Sequence, residues 1–526
     1  MVSPKNWRTP CITRLSQMVV AIRSYIFFFI VIPSLNAAEL PQSALKVLSE
    51  LPDSAVTIDY VLSRAVKTSA KLKGIKASLI EADASLLRAR EALDFQLNSS
   101  AAYINNQNEP ETPFSFNRLV TTNYDLSLSK NFETGTTVSA SIDHGRSELS
   151  FPDFGPGFQI PTLSFYQTVG SLGVKQALWR NRFGRSLKLG LDAGKKEKEA
   201  IENGFWNDAE NWALEVFGLF YDAWLAKSKL ELARESTATQ KRLVKIVEKT
   251  VQRGTAVRSD LLQAQSALIL SEARLLEAKT LLSNQWRILI ITLNLPEEWE
   301  KIDPSFIPIV IDEPHRRAQV LCEEHPTKIS EHSNANSEML RLRSDAATLQ
   351  AEVAEDAYNP SLDINLSLGA NGIEPTSRFR TFSETFSALH PAWTASLNFS
   401  IPLSRFAKKA DLDAARAERI RADSKYLESM DSLRQEAQTA CANLIQLRES
   451  NQLFKTVMNN QKTRARLEER RFALGKVPAF QVVQAQEDAV EAEFNVDRNE
   501  VALRLAAWNV LRVNNRLRKA LLEVMK

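Results

Sequence analysis

The chain has 526 residues, 44% hydrophobic and 25% charged, enough apolar material for several cores and a balance that argues against general disorder. Its net charge of +3 comes from 66 basic and 63 acidic residues dispersed along the sequence. The basic stripe that neutralises phosphates is missing, which argues against nucleic-acid binding.

Residues 1–38 read as a signal peptide: Lys5, Arg8, Arg14 and Arg23 precede the apolar run Tyr25 to Ile32, and Asn36-Ala37-Ala38 offers small residues for cleavage. The run is shorter than the ~20 residues of a membrane-spanning helix, so the protein is expected to be exported rather than anchored. Cys11 precedes the apolar run, where a lipid-bearing cysteine would follow it, so no lipid anchor is inferred. Cys322 and Cys441 make no disulfide framework and are read as free thiols.

An exported chain without spanning helices can still enter a bilayer as strands, because a closed barrel satisfies every backbone hydrogen bond between them. The first half carries four candidate segments: Leu97 to Asn106, Asn123 to Asn131, Thr136 to His144, and Tyr166 to Leu178. Alternation is clearest in the second half. Leu362, Ile364, Leu366, Leu368 and Ala370 alternate with Asp363, Asn365, Ser367 and Gly369, and Trp393, Ala395, Leu397, Phe399 and Ile401 alternate with Thr394, Ser396, Asn398 and Ser400. One face of such strands suits lipid and the other water.

Each strand region feeds a helical stretch without proline, 185–252 and 405–474. At ~1.5 Å per residue each would reach roughly 100 Å. In the second, Met430, Leu433, Ala437, Ala440, Leu444, Leu447, Phe454 and Met458 form a coiled-coil seam, with Asn451 at its polar step.

A short break and a return helix follow each long helix, and here the chain repeats itself. Gln263-Ala264-Gln265 recurs as Gln484-Ala485-Gln486, at the same distance from Gly254 as from Gly475. The seam positions Leu261, Ala264, Leu268, Ser271, Leu275, Ala278, Leu282 and Leu289 correspond to Val482, Ala485, Ala489, Ala492, Val496, Asn499, Leu503 and Val510. The predicted organisation is therefore two structural repeats, 39–294 and 315–526, each with an entry helix, barrel strands (97–178; 361–403), a long helix and a return helix (256–294; 478–526). Proline-punctuated residues 295–314 read as an equatorial connector.

Specific phrases now carry a resemblance over essentially the whole exported chain. The run from Arg253-Gly254-Thr255-Ala256 to Gln263-Ala264-Gln265, the run from Phe472-Ala473-Leu474-Gly475 to Gln484-Ala485-Gln486, the strand opening Asn359-Pro360-Ser361-Leu362 and the strand ending Ser400-Ile401-Pro402-Leu403 are similar to the tip turns and strand boundaries of the TolC family of outer-membrane factors, the outer membrane efflux proteins. The resemblance implies an α+β membrane protein, a homotrimer whose transmembrane β-barrel continues into a long α-helical coiled-coil tunnel across the periplasm. It implies a porin-like exit duct for tripartite efflux or type I secretion, without cofactor or enzymatic activity, whose tips meet a periplasmic adaptor (membrane fusion) protein and an inner-membrane pump or ABC transporter.

The oligomer has independent support, since six strands are fewer than the roughly eight of the smallest transmembrane barrels and an open sheet would leave unpaired edges in outer-membrane lipid. The family pattern has two strands per repeat, whereas the first half here has an additional hairpin, Asn123 to His144. Its Phe132-Glu133-Thr134-Gly135 turn is tight, and the outer loops 107–121 and 145–164 are long. If all strands cross, a trimer holds about 18; if the hairpin lies outside, the usual 12 or so.

No catalytic constellation stands out. His315, Cys322, His325 and His332 are spaced unlike any compact zinc pattern. The functional candidates are the tip turns, Gly254, Thr255, Ala256, Gly475, Pro478 and Phe480, each read as a helix reversal and, from the resemblance, as an adaptor-docking surface. Alignment with the family puts Gln481 and Gln484 where acidic side chains narrow the pore entrance, and leaves Asp260 either as a ring of carboxylates there or as a helix cap. Trp179, Trp393, Phe165 and Tyr166 are read as membrane-interface aromatics, and Trp206, Trp212 and Trp224 as core. The alternative reading, a periplasmic coiled-coil scaffold, accounts for the helices and leaves the amphipathic strands unused.

Overall fold

A computed structural model describes residues 51, 54–107, 115–152, 159–254, 256–324 and 334–525. The signal-peptide segment 1–38, Thr255, His325 and His332 fall outside them.

Alternation of apolar and polar residues produces six strands, β1 (Phe95–Asn106), β2 (Arg118–Asn131), β3 (Thr136–Ser150), β4 (Leu163–Ala177), β5 (Ser361–Glu374) and β6 (Pro391–Ser400). They form one antiparallel sheet in sequence order. The hairpin β2–β3 is thus not an appendage: it stands between β1 and β4 in continuous register. Both its strands run further outward than the alternation suggested, because the outer rungs turn polar, as with the Arg146–Glu148 ion pair at 2.5 Å, while the backbone ladder continues.

Residues opposite one another in a ladder share a face. One rung on one face reads Leu97, Leu128, Ala140, Leu172, Leu368 and Trp393 across all six strands. The next rung, on the other face, begins Asn98, Ser127, Ser141 and Ser171. The apolar face is the exposed one, with Leu97 at 67%, Leu172 at 61% and Trp393 at 78%.

The helices are α1 (Ile58–Thr68), α2 (Ala70–Arg90), α3 (Arg185–Gln252), α4 (Arg258–Leu293), α5 (His315–Glu324), α6 (Ala335–Tyr358), α7 (Arg378–Phe386), α8 (Phe406–Ala473), α9 (Ala479–Val513) and α10 (Leu517–Met525). Helices α3 and α8 have 68 residues each, and their return helices α4 and α9 have 36 and 35. All sixteen matched seam positions of α4 and α9 face inward, and every one in α9 is buried. In α8, Leu433, Ala437, Ala440, Leu444 and Asn451 are buried, whereas Phe454 departs from the expected seam at 37% exposure: a single chain offers nothing to cover it.

Midway along the helices the molecule thickens around Trp212, Phe217, Phe220, Tyr221, Trp286 and Trp299, to which α1, α10 and the segment 295–314 contribute. Trp206 and Trp224 pack at the margin of this core. Residues 295–314 hold their place there through a parallel bridge between Val56 and Ile309.

The expectation of free thiols is overturned. Cys322 on α5 and Cys441 on α8 form a disulfide, 119 residues apart in sequence. Sequence spacing could not reveal it, because the pairing depends on α5 folding back against the middle of α8. Cross-linking so distant a pair restricts the unfolded chain strongly. Cys441→Ser is expected to lower stability by about 3 kcal/mol, read as a fall in the denaturant midpoint that added reductant reproduces in the unaltered protein and does not deepen in the variant.

Candidate functional site

The far ends of α3 and α8 carry the predicted turns. Gly254 at φ +74° and Gly475 at φ +70° take left-handed backbone conformations that release each chain from its long helix. Both are open to solvent, and a Cβ at either would meet nothing, so backbone angle alone selects glycine here. Pro478 precedes α9 as its N-cap. The two turns come together in space: Leu243, Val247 and Ala264 from the first hairpin share one apolar cluster with Phe472, Val477, Ala479 and Val482 from the second. Phe480 stays outside that cluster, 55% exposed, while Ala256 is half-buried.

Asp260 caps its helix, its carboxylate accepting from the Val257 backbone N–H at 3.3 Å. Gln484 is exposed and donates to Asp488 at 2.8 Å, and Gln481 is half-buried. Above them, Arg274 of α4 reaches Glu487 of α9 at 3.1 Å, joining the two hairpins across a groove that Gln484 also lines.

The four aromatic candidates do not form one level. Trp179 lies just past the helix-side end of β4, with its ring 6.5 Å from Phe399. Phe165 and Tyr166 lie at the opposite end of the same strand and on opposite faces, since neighbouring residues alternate. Tyr166 stacks with His144 at 6.3 Å. The length of β4 separates Trp179 from Phe165 and Tyr166.

A polar network at the equator escaped sequence reasoning. Tyr221 donates to Asp312 at 2.5 Å, and Trp508 donates to the Tyr221 hydroxyl at 2.9 Å. Arg504 donates to the Asp312 carbonyl at 2.8 Å and pairs with Glu500. Glu500 in turn takes Lys455 and Asn451 of α8 at 2.8 and 2.7 Å. Burial alone would raise the Glu500 carboxyl, but hydrogen bonds from Lys455, Asn451 and Arg504 outweigh it and hold the group down at about 2. Asn451, the single polar step of the seam, was the available clue.

Comparison with known proteins finds a family match over the second half of the chain. Residues 333–521 match the model of the outer membrane efflux protein family. No match is found among the curated proteins. Among solved structures, the chain is similar to the outer-membrane channel OprN (14% identity, 90% of this chain and 92% of that one, TM-score 0.63). It is similar to the Vibrio cholerae outer membrane protein VceC (12% identity, 87% and 96%, TM-score 0.63) and to the Campylobacter jejuni CmeC outer membrane channel (14% identity, 89% and 89%, TM-score 0.62). At these identities the likeness establishes the fold.

Two measurements test this geometry. Gly475→Val forces a branched side chain to a positive φ at a cost of about 1–2 kcal/mol, and is expected to speed hydrogen exchange around 470–480 while leaving the sheet unchanged. Glu210, at 3% exposure on α3, has a carboxylate oxygen without a hydrogen-bond partner, and burial pushes its carboxyl up to about 7 against the pull of Arg512 and Arg518. The native state therefore keeps a proton that the unfolded chain releases, and stability falls as pH rises from 4.5 through about 7. Glu210→Gln is expected to flatten that fall, seen as a higher melting temperature than the unaltered protein above this window and little difference below it.

Proposed function

We propose, from the outer membrane efflux protein family that residues 333–521 match, that this chain is one third of an exit duct in the outer membrane. The observation that carries the reading is the continuity of a two-faced sheet with two 68-residue helices. A sheet whose exposed face is apolar suits a barrel wall with its apolar side to lipid and its polar side to a water-filled lumen. Three copies pairing β6 of one with β1 of the next would give about 18 strands and leave no open edge.

The helices, roughly 100 Å long, would line a periplasmic tunnel built from two structural repeats per chain. The exposed Phe480 and the Gly254 and Gly475 turns form the end that would dock a periplasmic adaptor, with an inner-membrane pump supplying the energy. Transport through the duct is passive and efflux is its task. The cap reading of Asp260 is supported by its carboxylate accepting from the Val257 backbone N–H. Opening would then be a sliding of one hairpin past the other where Arg274 meets Glu487.

The purified protein in detergent is expected to run as a stable trimer and to give discrete conductance steps in a planar bilayer. Asp260→Asn is expected to leave ion selectivity unchanged. A soluble, non-conducting monomer or dimer would overturn the duct and favour a coiled-coil scaffold.

A further inference from the structure

Helix α7, in the outer loop between β5 and β6, lies against the exposed apolar face of the sheet rather than against the polar one. Its contacts are specific. Thr381 and Thr385 are buried, the Thr168 and Thr381 hydroxyls are 2.7 Å apart, and the Thr385 hydroxyl donates to the Thr168 carbonyl at 3.0 Å. Glycines of the sheet make room for the helix: a Cβ on Gly372 would stand 2.4 Å from the Thr381 carbonyl, and one on Gly170 would stand 3.1 Å from Thr385. Phe382 stacks on His144 at 4.7 Å.

The helix is inverted relative to one packed in water. Threonines face the protein, while Phe379 and Phe386, seven residues apart on the opposite side, are 72% and 76% exposed. Leu389 follows at 63%, and Trp393 at 78% lies below on the same sheet face. Water would drive these side chains inward and the hydroxyls outward. Hydrocarbon reverses that preference, because there the hydroxyls need protein partners and the phenyl rings do not.

The height agrees. The helix sits at the Thr168–Gly372 rung, immediately outward of the apolar rungs Gly170–Ala370 and Leu172–Leu368. Beyond it the same face turns polar with Arg146, Tyr166 and Glu374. Between helix and sheet runs a groove of about 630 Å³ lined by Leu126, Ile142, Leu172, Leu368 and Phe386. At the helix N-terminal end, Arg378 lies over the Phe379 ring at 4.9 Å, and Arg380 pairs with Glu374 at 3.2 Å.

We infer that α7 is an interfacial anchor on the outside of the barrel, lying in the outer leaflet with Phe379 and Phe386 among acyl chains and an acyl chain filling the groove beside it. The inference rests on the barrel reading above.

Spin labels read by their collisions with dissolved oxygen and with a water-soluble nickel chelate test both readings separately. The full chain, with Cys11→Ser and the Cys322–Cys441 disulfide intact, carries one label at a time through Phe379→Cys, Phe386→Cys, Leu397→Cys or Asn398→Cys, in vesicles of phosphatidylethanolamine and phosphatidylglycerol. The expected result is oxygen-dominated contact at positions 379, 386 and 397 and nickel-dominated contact at 398. Oxygen-dominated contact at 397 with nickel-dominated contact at 379 and 386 overturns the anchor and leaves the barrel standing. Nickel-dominated contact at 397 overturns both.

Discussion

Unpaired backbone groups along the outer sides of β1 and β6 are the constraint on which the rest of this structure turns. In water an open sheet edge is a liability; in hydrocarbon it is prohibitive, since each unsatisfied N–H or C=O costs several kcal/mol. Six strands are fewer than the roughly eight of the smallest transmembrane barrels, so in the proposed duct the edges would meet those of other chains. Cyclic closure of that kind would dispose the long helices around a common axis without any further instruction.

Between the sheet and the tips, the equator supplies what a bundle of slender helices lacks, a thick core. Trp212, Phe217, Trp286 and Trp299 pack there with α1 and α10. The polar contacts that run from Tyr221 through Asp312 and Arg504 to Glu500 join three stretches of chain distant in sequence. Buried networks of this kind specify one arrangement among the many that small apolar seams would accept. The small residues Ala264, Ser271 and Ala278 in the α4 seam and Ala485, Ala489 and Ala492 in the α9 seam leave close approach of the helices possible, and the proposed sliding would end at the equator.

Much of this architecture was legible in the residues. Alternate residues marked the strands, spacings of three and four marked the second long helix and both return helices, the absence of proline marked the first long helix, and Gly254 and Gly475 marked both reversals. The misses share a cause: they depend on what folding brings together. Cys322 and Cys441 carry no spacing signal, Tyr221 and Asp312 meet only once the connector wraps the core, and α7 lies in a stretch, Arg378–Phe386, too short for periodicity to declare a helix.

The Cys322–Cys441 bond also sets the mechanics of the second hairpin. It pins α8 at its middle to α5, so in the proposed opening the portion from Cys441 to Ala473 would move, together with the α9 segment it is bonded to, as an arm about that point. At ~1.5 Å per residue that arm is roughly 48 Å long, and a rotation of about 5° at the pivot swings its end by about 4 Å. A small repacking at mid-height would thereby be magnified into a displacement larger than a water molecule at the far end of the hairpin.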